Sequence, residues 1–318
     1  MTNVTFAPFL YNASASTVTE ASGATGSVED KAQDIWMELA RRLAADGLPA
    51  SFVVDTFGSE KLVYDPTVMA RKIDTLLKTK RRAKDKKAGK KVAPEQEFHS
   101  HFLNPILIAG AYGYLREYRA IFTSVHEKFA VPDNILAALL LVETRLGTNT
   151  GKYDALPILA SMAAADAPVL FRNKLKLKGG PLTAEEEKWM RKRAKQKADW
   201  AYKELFALLE YASVNAHDPF KIKSSSYGAI GMCQFMPTNV EHYGVDGDGD
   251  GKVDVFTRAD ALHSMGNYLY KHGWKAGLTH EQQLKVIYRY NHSMVYSRTI
   301  LEVAERIKAI QNAFSVFS

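Results

Sequence analysis

A single acidic side chain stands near the end of a long apolar run, in Val142-Glu143-Thr144-Arg145-Leu146-Gly147. An apolar setting disfavours the charged carboxylate, and the negative end of a helix dipole does the same. Glu143 is therefore placed to stay protonated near neutral pH and to donate a proton to a glycosidic oxygen. The competing use is structural, as an ion pair with Arg145 or a distant cation. A second segment, Tyr227-Gly228-Ala229-Ile230-Gly231-Met232-Cys233-Gln234-Phe235-Met236-Pro237, is punctuated by two glycines that allow tight turns and close approach of a ligand. Gln234 offers both a donor and an acceptor, which suits an acetamido group or hydroxyls. Ser225 is a further polar contact, and Phe235, Met236 and Pro237 supply apolar walls. A purely structural turn is the alternative.

A third segment, Tyr288-Arg289-Tyr290-Asn291-His292-Ser293-Met294-Val295-Tyr296, gathers aromatic and amide groups. Aromatic faces stack on sugar rings and their polar tips bond to hydroxyls, although the same residues also serve as core aromatics. Glycosidases ordinarily carry two carboxylates. No obvious second one accompanies Glu143; Asp154 is near in sequence, but nothing places it beside a scissile bond. One acid suffices where the substrate supplies its own nucleophile, such as an acetamido oxygen.

The run Asp246-Gly247-Asp248-Gly249-Asp250-Gly251-Lys252-Val253-Asp254 matches the first half of an EF-hand loop. Asp246, Asp248 and Asp250 take the first three ligand positions, Gly251 the turn, and Lys252 offers its carbonyl. Thr257 stands where the closing Glu belongs, so a standard loop lacks its bidentate ligand. The alternative is a metal-free turn of Asp and Gly. The lone cysteine, Cys233, excludes an internal disulfide and has no local His partner, so it reads as a small buried hydrophobe.

Helical spacing positions these groups. Periodic apolar residues mark helices from Asp30 to Ala45, from Asp65 into a basic run, from Asn104 to Lys128, and from Pro132 to Gly147. Further helices follow over 258–271, 282–290 and 295–314. The helix carrying Glu143 is apolar nearly all round and should be central. The fold class is mainly α with a small hairpin. Residues 1–28, rich in Thr, Ser and Ala, read as a flexible tail without a secretory signal. Residues 29–100 read as an accessory helical region that includes the basic run Lys78–Lys91, with nine cations against one Asp. That run reads as a solvated linker, or alternatively as a tether to an anionic wall or membrane surface. Residues 101–318 form the core, with a basic surface excursion at 172–197.

In 318 residues, 46% are hydrophobic and 24% charged, as in an ordinary globular protein, and the net charge is +7. The basic balance favours an anionic partner. Zinc-finger spacing and nucleic-acid motifs are absent, so nucleic acid is excluded as the expected partner. No apolar stretch reaches the roughly 20 residues needed to span a bilayer.

The segments Glu143–Gly147, Gly228–Pro237 and Tyr290–Ser293, in that order, resemble the signature of the membrane-bound lytic transglycosylase B family. The resemblance runs from Phe52 to the C-terminus. It implies a lysozyme-like helical core with an added helical domain and an EF-hand-like loop at 246–260. It also implies Glu143 as the catalytic acid, and Ser225, Gln234, Tyr290, Asn291 and Tyr296 as sugar-binding residues. The family's longer calcium loop places its last acid on Asp260, which completes a structural Ca²⁺ set of Asp246, Asp248, Asp250, Lys252 and Asp260. No organic cofactor is expected. The implied substrate is peptidoglycan, cleaved between N-acetylmuramic acid and N-acetylglucosamine with formation of a 1,6-anhydro end. A hydrolytic muramidase or a non-catalytic wall-binding module are the alternatives. A monomer in the periplasm or cell envelope is expected. Two departures bear on the sugar subsites: Leu146 stands where Trp is common, and Met232-Cys233 replaces a Tyr-Gly type pair.

Overall fold

The computed structural model describes residues 28–89 and 96–315, so the expected tail up to residue 27 and the end of the basic run lie outside the described residues. Twelve α-helices and one two-stranded sheet are found among the described residues. Helix α1 (Val28–Ala45) and α2 (Ala50–Phe57) are followed by α3 (Pro66–Lys87), α4 (Pro105–Glu117), α5 (Arg119–Phe129) and α6 (Asp133–Thr144). Strand β1 (Tyr153–Asp154) leads into α7 (Ala155–Ala164), then α8 (Ala184–Val214), β2 (Lys223–Ser224), α9 (Pro237–Tyr243), α10 (Arg258–Lys271), α11 (His280–Tyr290) and α12 (Met294–Ser315).

Helix α6 is central because nothing polar interrupts it from Ile135 to Leu141, and each of those residues is buried. Helices α4 and α12 pack against it. The helix expected over Asn104–Lys128 is broken at Tyr118, whose φ of −106° and ψ of 28° leave the helical region. The break lets Ile108, Ala111 and Leu115 face α6 and α12 while Phe122, Val125 and Phe129 turn toward α10. A straight helix could not present both apolar stripes to those partners. The expected hairpin is instead a long-range pair, antiparallel, with Tyr153 opposite Ser224 and Asp154 opposite Lys223.

The main core takes in Trp36, Leu39, Val53 and Phe57 of α1 and α2 together with α4 to α12. This buried cluster includes residues on both sides of residue 100. The basic run is not a linker from Lys78 onward, because α3 continues to Lys87. Its Arg81 guanidinium forks onto Glu186, with Nε to Oε1 and Nη2 to Oε2 both at 2.8 Å. The same group donates to the carbonyls of Lys178, Gly180 and Pro181. The excursion at 172–197 is correspondingly more than surface. Met190, Ala194, Ala198 and Ala201 of α8 bury a second apolar cluster against Val68, Met69 and Ile73 of α3. A capping box between Thr183 and Glu186 starts α8.

Candidate active site

Helix α6 ends in three consecutive residues of positive φ: Arg145 at 50°, Leu146 at 62° and Gly147 at 84°. Left-handed backbone costs a residue with a Cβ about 1–2 kcal/mol. Here it is offset by bonds from the Arg145 and Leu146 amides to the Leu141 and Leu140 carbonyls, each 3.0 Å. The φ of Gly147 is one that side chains with a Cβ rarely adopt, and a Cβ there would also displace Met232 Cε, 2.2 Å away, so glycine suits the third position. The buried Thr144 hydroxyl donates to the Met232 carbonyl at 2.9 Å and accepts from the Gly147 amide at 3.0 Å. It ties the end of α6 to the Gly-rich turn. Sequence reasoning missed this role; the available signal was a β-branched hydroxyl immediately after the acid at an apolar helix end.

The turn is closed on itself. Ile230 and Phe235 exchange backbone bonds of 2.8 and 3.1 Å. Gly231, with φ of 70°, lies where a Cβ would meet the Val255 carbonyl at 2.5 Å. Ser225 Oγ accepts from the Tyr227 and Ala229 amides at 3.3 and 3.1 Å, so this hydroxyl shapes the entry to the turn. Gln234 sits at a positive φ of 49° and spends its side-chain nitrogen on two carbonyls, Thr150 at 3.1 Å and Gly231 at 3.0 Å. Both amide donors are thereby used, and the oxygen is the atom left to offer a ligand.

Tyr290 and Tyr296 reach this region from the other end of the chain. Tyr290 Oη donates to the Cys233 carbonyl at 2.6 Å, and its ring lies 5.6 Å from Phe235 and 5.0 Å from Tyr268. Tyr296, buried on α12, donates its hydroxyl to Glu143 Oε1. Asn291 is exposed at the C-cap of α11. Cys233 is fully buried, and burial pushes its thiol up to about 12.

Glu143 makes no ion pair among the described residues; Arg145 is exposed and leaves it alone. Desolvation pushes the Glu143 carboxyl up to about 7, opposed only by the Tyr296 hydrogen bond, which favours the carboxylate. No other acid contributes to that shift. Asp154 is held by Lys223 Nζ at 2.7 Å across the small sheet. A second buried acid, Glu204, accepts from the amide and hydroxyl of Thr238 at 3.0 and 2.9 Å and so caps the start of α9. The arrangement is one protonated carboxylic acid, one hydroxyl that orients it, and a rigid polar and aromatic turn alongside.

The acidic loop brings together three of its four expected carboxylates. Carboxylate oxygens of Asp246, Asp248 and Asp260 lie within 4.8 Å of one another. Asp260 is buried in the first turn of α10, accepting from the Gly247 and Asp254 amides at 2.8 and 2.6 Å. Asp250 is exposed, accepts the Lys252 amide at 2.8 Å and does not join the acidic group. Thr257 cannot be a closing ligand of the usual kind, because its hydroxyl accepts from the Asp260 amide as the N-cap of α10.

Comparison with known proteins bears on the family and the fold. The membrane-bound lytic murein transglycosylase B of Escherichia coli (strain K12) is 27% identical over 180 residues, which are 57% of this chain and 42% of that protein. The chain thus spans less than half of that relative's length. The Escherichia coli lytic transglycosylase Slt35, solved in complex with calcium, superposes with a TM-score of 0.62 at 17% identity, covering 87% of this chain and 93% of its own. SltB3 of Pseudomonas aeruginosa, in complex with NAG-anhNAM-pentapeptide, gives 0.63 at 18% identity over 87% of this chain and 79% of its own. These superpositions establish the lysozyme-like helical fold of such enzymes. The transglycosylase SLT domain matches residues 31–285, most of the chain, and the protein belongs to that family.

Proposed function

We propose that the protein is a peptidoglycan lytic transglycosylase in which Glu143 acts first as acid and then as base. The observation that carries this reading is a lone carboxyl, pushed up to about 7, with no second acid beside it. Glu143 donates its proton to the glycosidic oxygen of the departing N-acetylglucosamine as the bond from C1 of N-acetylmuramic acid breaks. The acetamido oxygen bonds to C1 and holds the developing cation as an oxazolinium. The Glu143 carboxylate then takes the proton of the C6 hydroxyl, whose oxygen attacks C1 and releases the acetamide. A 1,6-anhydro end forms, Glu143 is protonated again, and no water is consumed. A fold neighbour solved in complex with NAG-anhNAM-pentapeptide supports this course.

Tyr296 orients the acid by its hydrogen bond. Gln234 is assigned to accept from a sugar N–H or hydroxyl through the oxygen that its two backbone contacts leave over. Tyr290 supports the turn through the Cys233 carbonyl, Ser225 shapes its entry, and Asn291 contacts sugar at the rim. Glu143→Gln removes the transferable proton at constant shape and lowers turnover of purified peptidoglycan by about 10³-fold. Retention of most activity would show that Glu143 is not the acid.

Asp246, Asp248 and Asp260 fit a hard cation. Burial, and then the charges of its two neighbours, raise the Asp260 carboxyl above the usual range. A bound Ca²⁺ would supply that charge and pin the loop to α10, and Slt35 has been solved with calcium. Chelation followed by Ca²⁺ addition should lower and then restore the melting temperature by a few degrees; an unmoved melting temperature removes the metal from the account. We also infer a cell-envelope location from the membrane-bound relative. No helix among the described residues is long and apolar enough to cross a membrane.

A further inference from the structure

A cavity of about 320 Å³ lies between α3 and the segment that joins α7 to α8. Arg71 and Lys78 line it from α3, Lys176 and Lys178 from the facing segment, and Tyr227 forms part of its wall. None of these four cations has a carboxylate within ion-pair distance among the described residues. The one acid in the lining, Asp74, gives its two oxygens to the Lys176 and Leu177 amides at 2.9 and 3.2 Å, which fixes the facing segment in place. Arg71 Nε is buried without a hydrogen-bond partner. Beside the cavity, Lys72 stands 4.2 Å over the Tyr227 ring and is pushed down by burial and by the charge of Lys197. The region therefore gathers like charges that a folded protein ordinarily separates or pairs. This contrasts with the next turn of α3, where Lys80 and Arg81 are paired with Glu185 and Glu186.

The cavity is linked to the candidate active site through Tyr227. Its Tyr227 donates its amide to Ser225 Oγ and opens the turn that carries Gln234. The Arg71 guanidinium lies 6.0 Å from the ring of Tyr153, the β1 residue opposite Ser224. The volume sits at the small end of the roughly 300–1,000 Å³ typical of sites for small groups, far from the extended face that a bilayer or long polymer requires. We propose that this cleft binds a carboxylate of the peptide carried by the glycan strand on which the Glu143 site acts. The inference rests on the glycan-strand reading above. The cations hold the stem beside the cleavage site and select strands whose stems are intact.

The test uses the full chain and two substrates: glycan strands bearing pentapeptides, and the same strands stripped of peptide by an amidase. Lys78, Lys176 and Lys178 are exposed, so their joint replacement by alanine removes charge without opening a core. The triple variant should raise KM on peptide-bearing strands about tenfold, from three charge contacts of ordinary exposed strength. Its kcat, and its KM on stripped strands, should not change. Triple replacement by arginine should restore the parent KM. An unchanged KM on peptide-bearing strands, or an equal rise on both substrates, overturns the proposal. If the parent protein cleaves neither substrate, the glycan-cleavage reading fails by itself. Calorimetry with the free pentapeptide then decides the cleft: binding lost in the triple alanine variant supports it, and no binding by the parent overturns it. Binding to phosphatidylglycerol vesicles but not to the pentapeptide, abolished in the same variant, overturns it in favour of a lipid surface.

Discussion

Glu143, at the end of α6, has its carboxyl pushed up to about 7, whereas Glu186, in the first turn of α8, has its carboxyl pulled down to about 2. Both are partly buried glutamates on helices. What separates them is the depth of burial of the carboxyl and the partner set. Glu186 accepts two charge-assisted bonds from Arg81 and one from the Thr183 amide, all of which favour the carboxylate. It also lies at the positive end of its helix dipole, while Glu143 lies at the negative end. Glu143 has desolvation and one neutral donor, Tyr296. A structural acid is surrounded until its charge is stable; the candidate catalytic acid is denied cations so that it keeps its proton. That contrast separates the two uses of glutamate left open by the sequence.

The largest effect expected from disturbing this contrast is the loss of about 10³-fold in turnover for Glu143→Gln already described. The second is its opposite in stability. A carboxyl raised from 4.5 to about 7 makes the folded state bind its proton more tightly than the unfolded chain does. The folded state is then penalised progressively as pH rises from 4.5 to 7, by about 3 kcal/mol once ionised. Glu143→Gln removes that penalty, so its melting temperature should exceed the parent's at pH 8 and converge with it at pH 4. Equal gains at both pH values would mean that the acid is not raised in the folded protein.

A smaller effect belongs to Tyr296. Its hydrogen bond favours the Glu143 carboxylate, so Tyr296→Phe should raise the carboxyl further and move the alkaline limb of kcat/KM to higher pH. The rate should also fall about tenfold through lost orientation. A limb moved to lower pH would show that Tyr296 supports the protonated form instead. The smallest effect is on the structural side. Glu186→Gln keeps the capping acceptor for Thr183 but loses the charge that faces Arg81. It should cost about 1 kcal/mol at neutral pH. Because the Glu186 carboxyl is depressed, the contribution is present above 4.5 and vanishes as pH falls through about 2. Denaturant titrations at pH 7 and pH 2.5 check both statements, and activity on peptidoglycan should be unaffected at pH 7.

Much of the site is legible along the chain because its parts are local. An apolar run that ends in one acid and a glycine, and a turn with two glycines and an amide, are both patterns in which neighbouring residues set the conformation. The contacts that give those parts their meaning are not local. Tyr296 meets Glu143 across 153 positions, Thr144 meets Met232 across 88, and Arg81 meets Glu186 across 105. Charge runs mislead for the same reason. The cations from Lys78 to Lys87 read as a solvated linker because the acids that fold them back, Glu185 and Glu186, lie on another helix. The break at Tyr118 has no proline or glycine to announce it, and depends on which helices stand on either side. Asp250 fits a ligand spacing in sequence, but its carboxylate accepts the Lys252 amide and does not join those of Asp246, Asp248 and Asp260.

The central claim is that one carboxylic acid cleaves the glycan without a water nucleophile. Mass analysis of the muropeptides released from purified peptidoglycan tests it most directly, with Glu143→Gln as the control. The account predicts that every new muramic acid end is lighter by one water than a reducing end, and that the control releases none. New ends of full reducing mass would identify a hydrolase, and anhydro products from the Glu143→Gln protein would contradict the assignment of the acid.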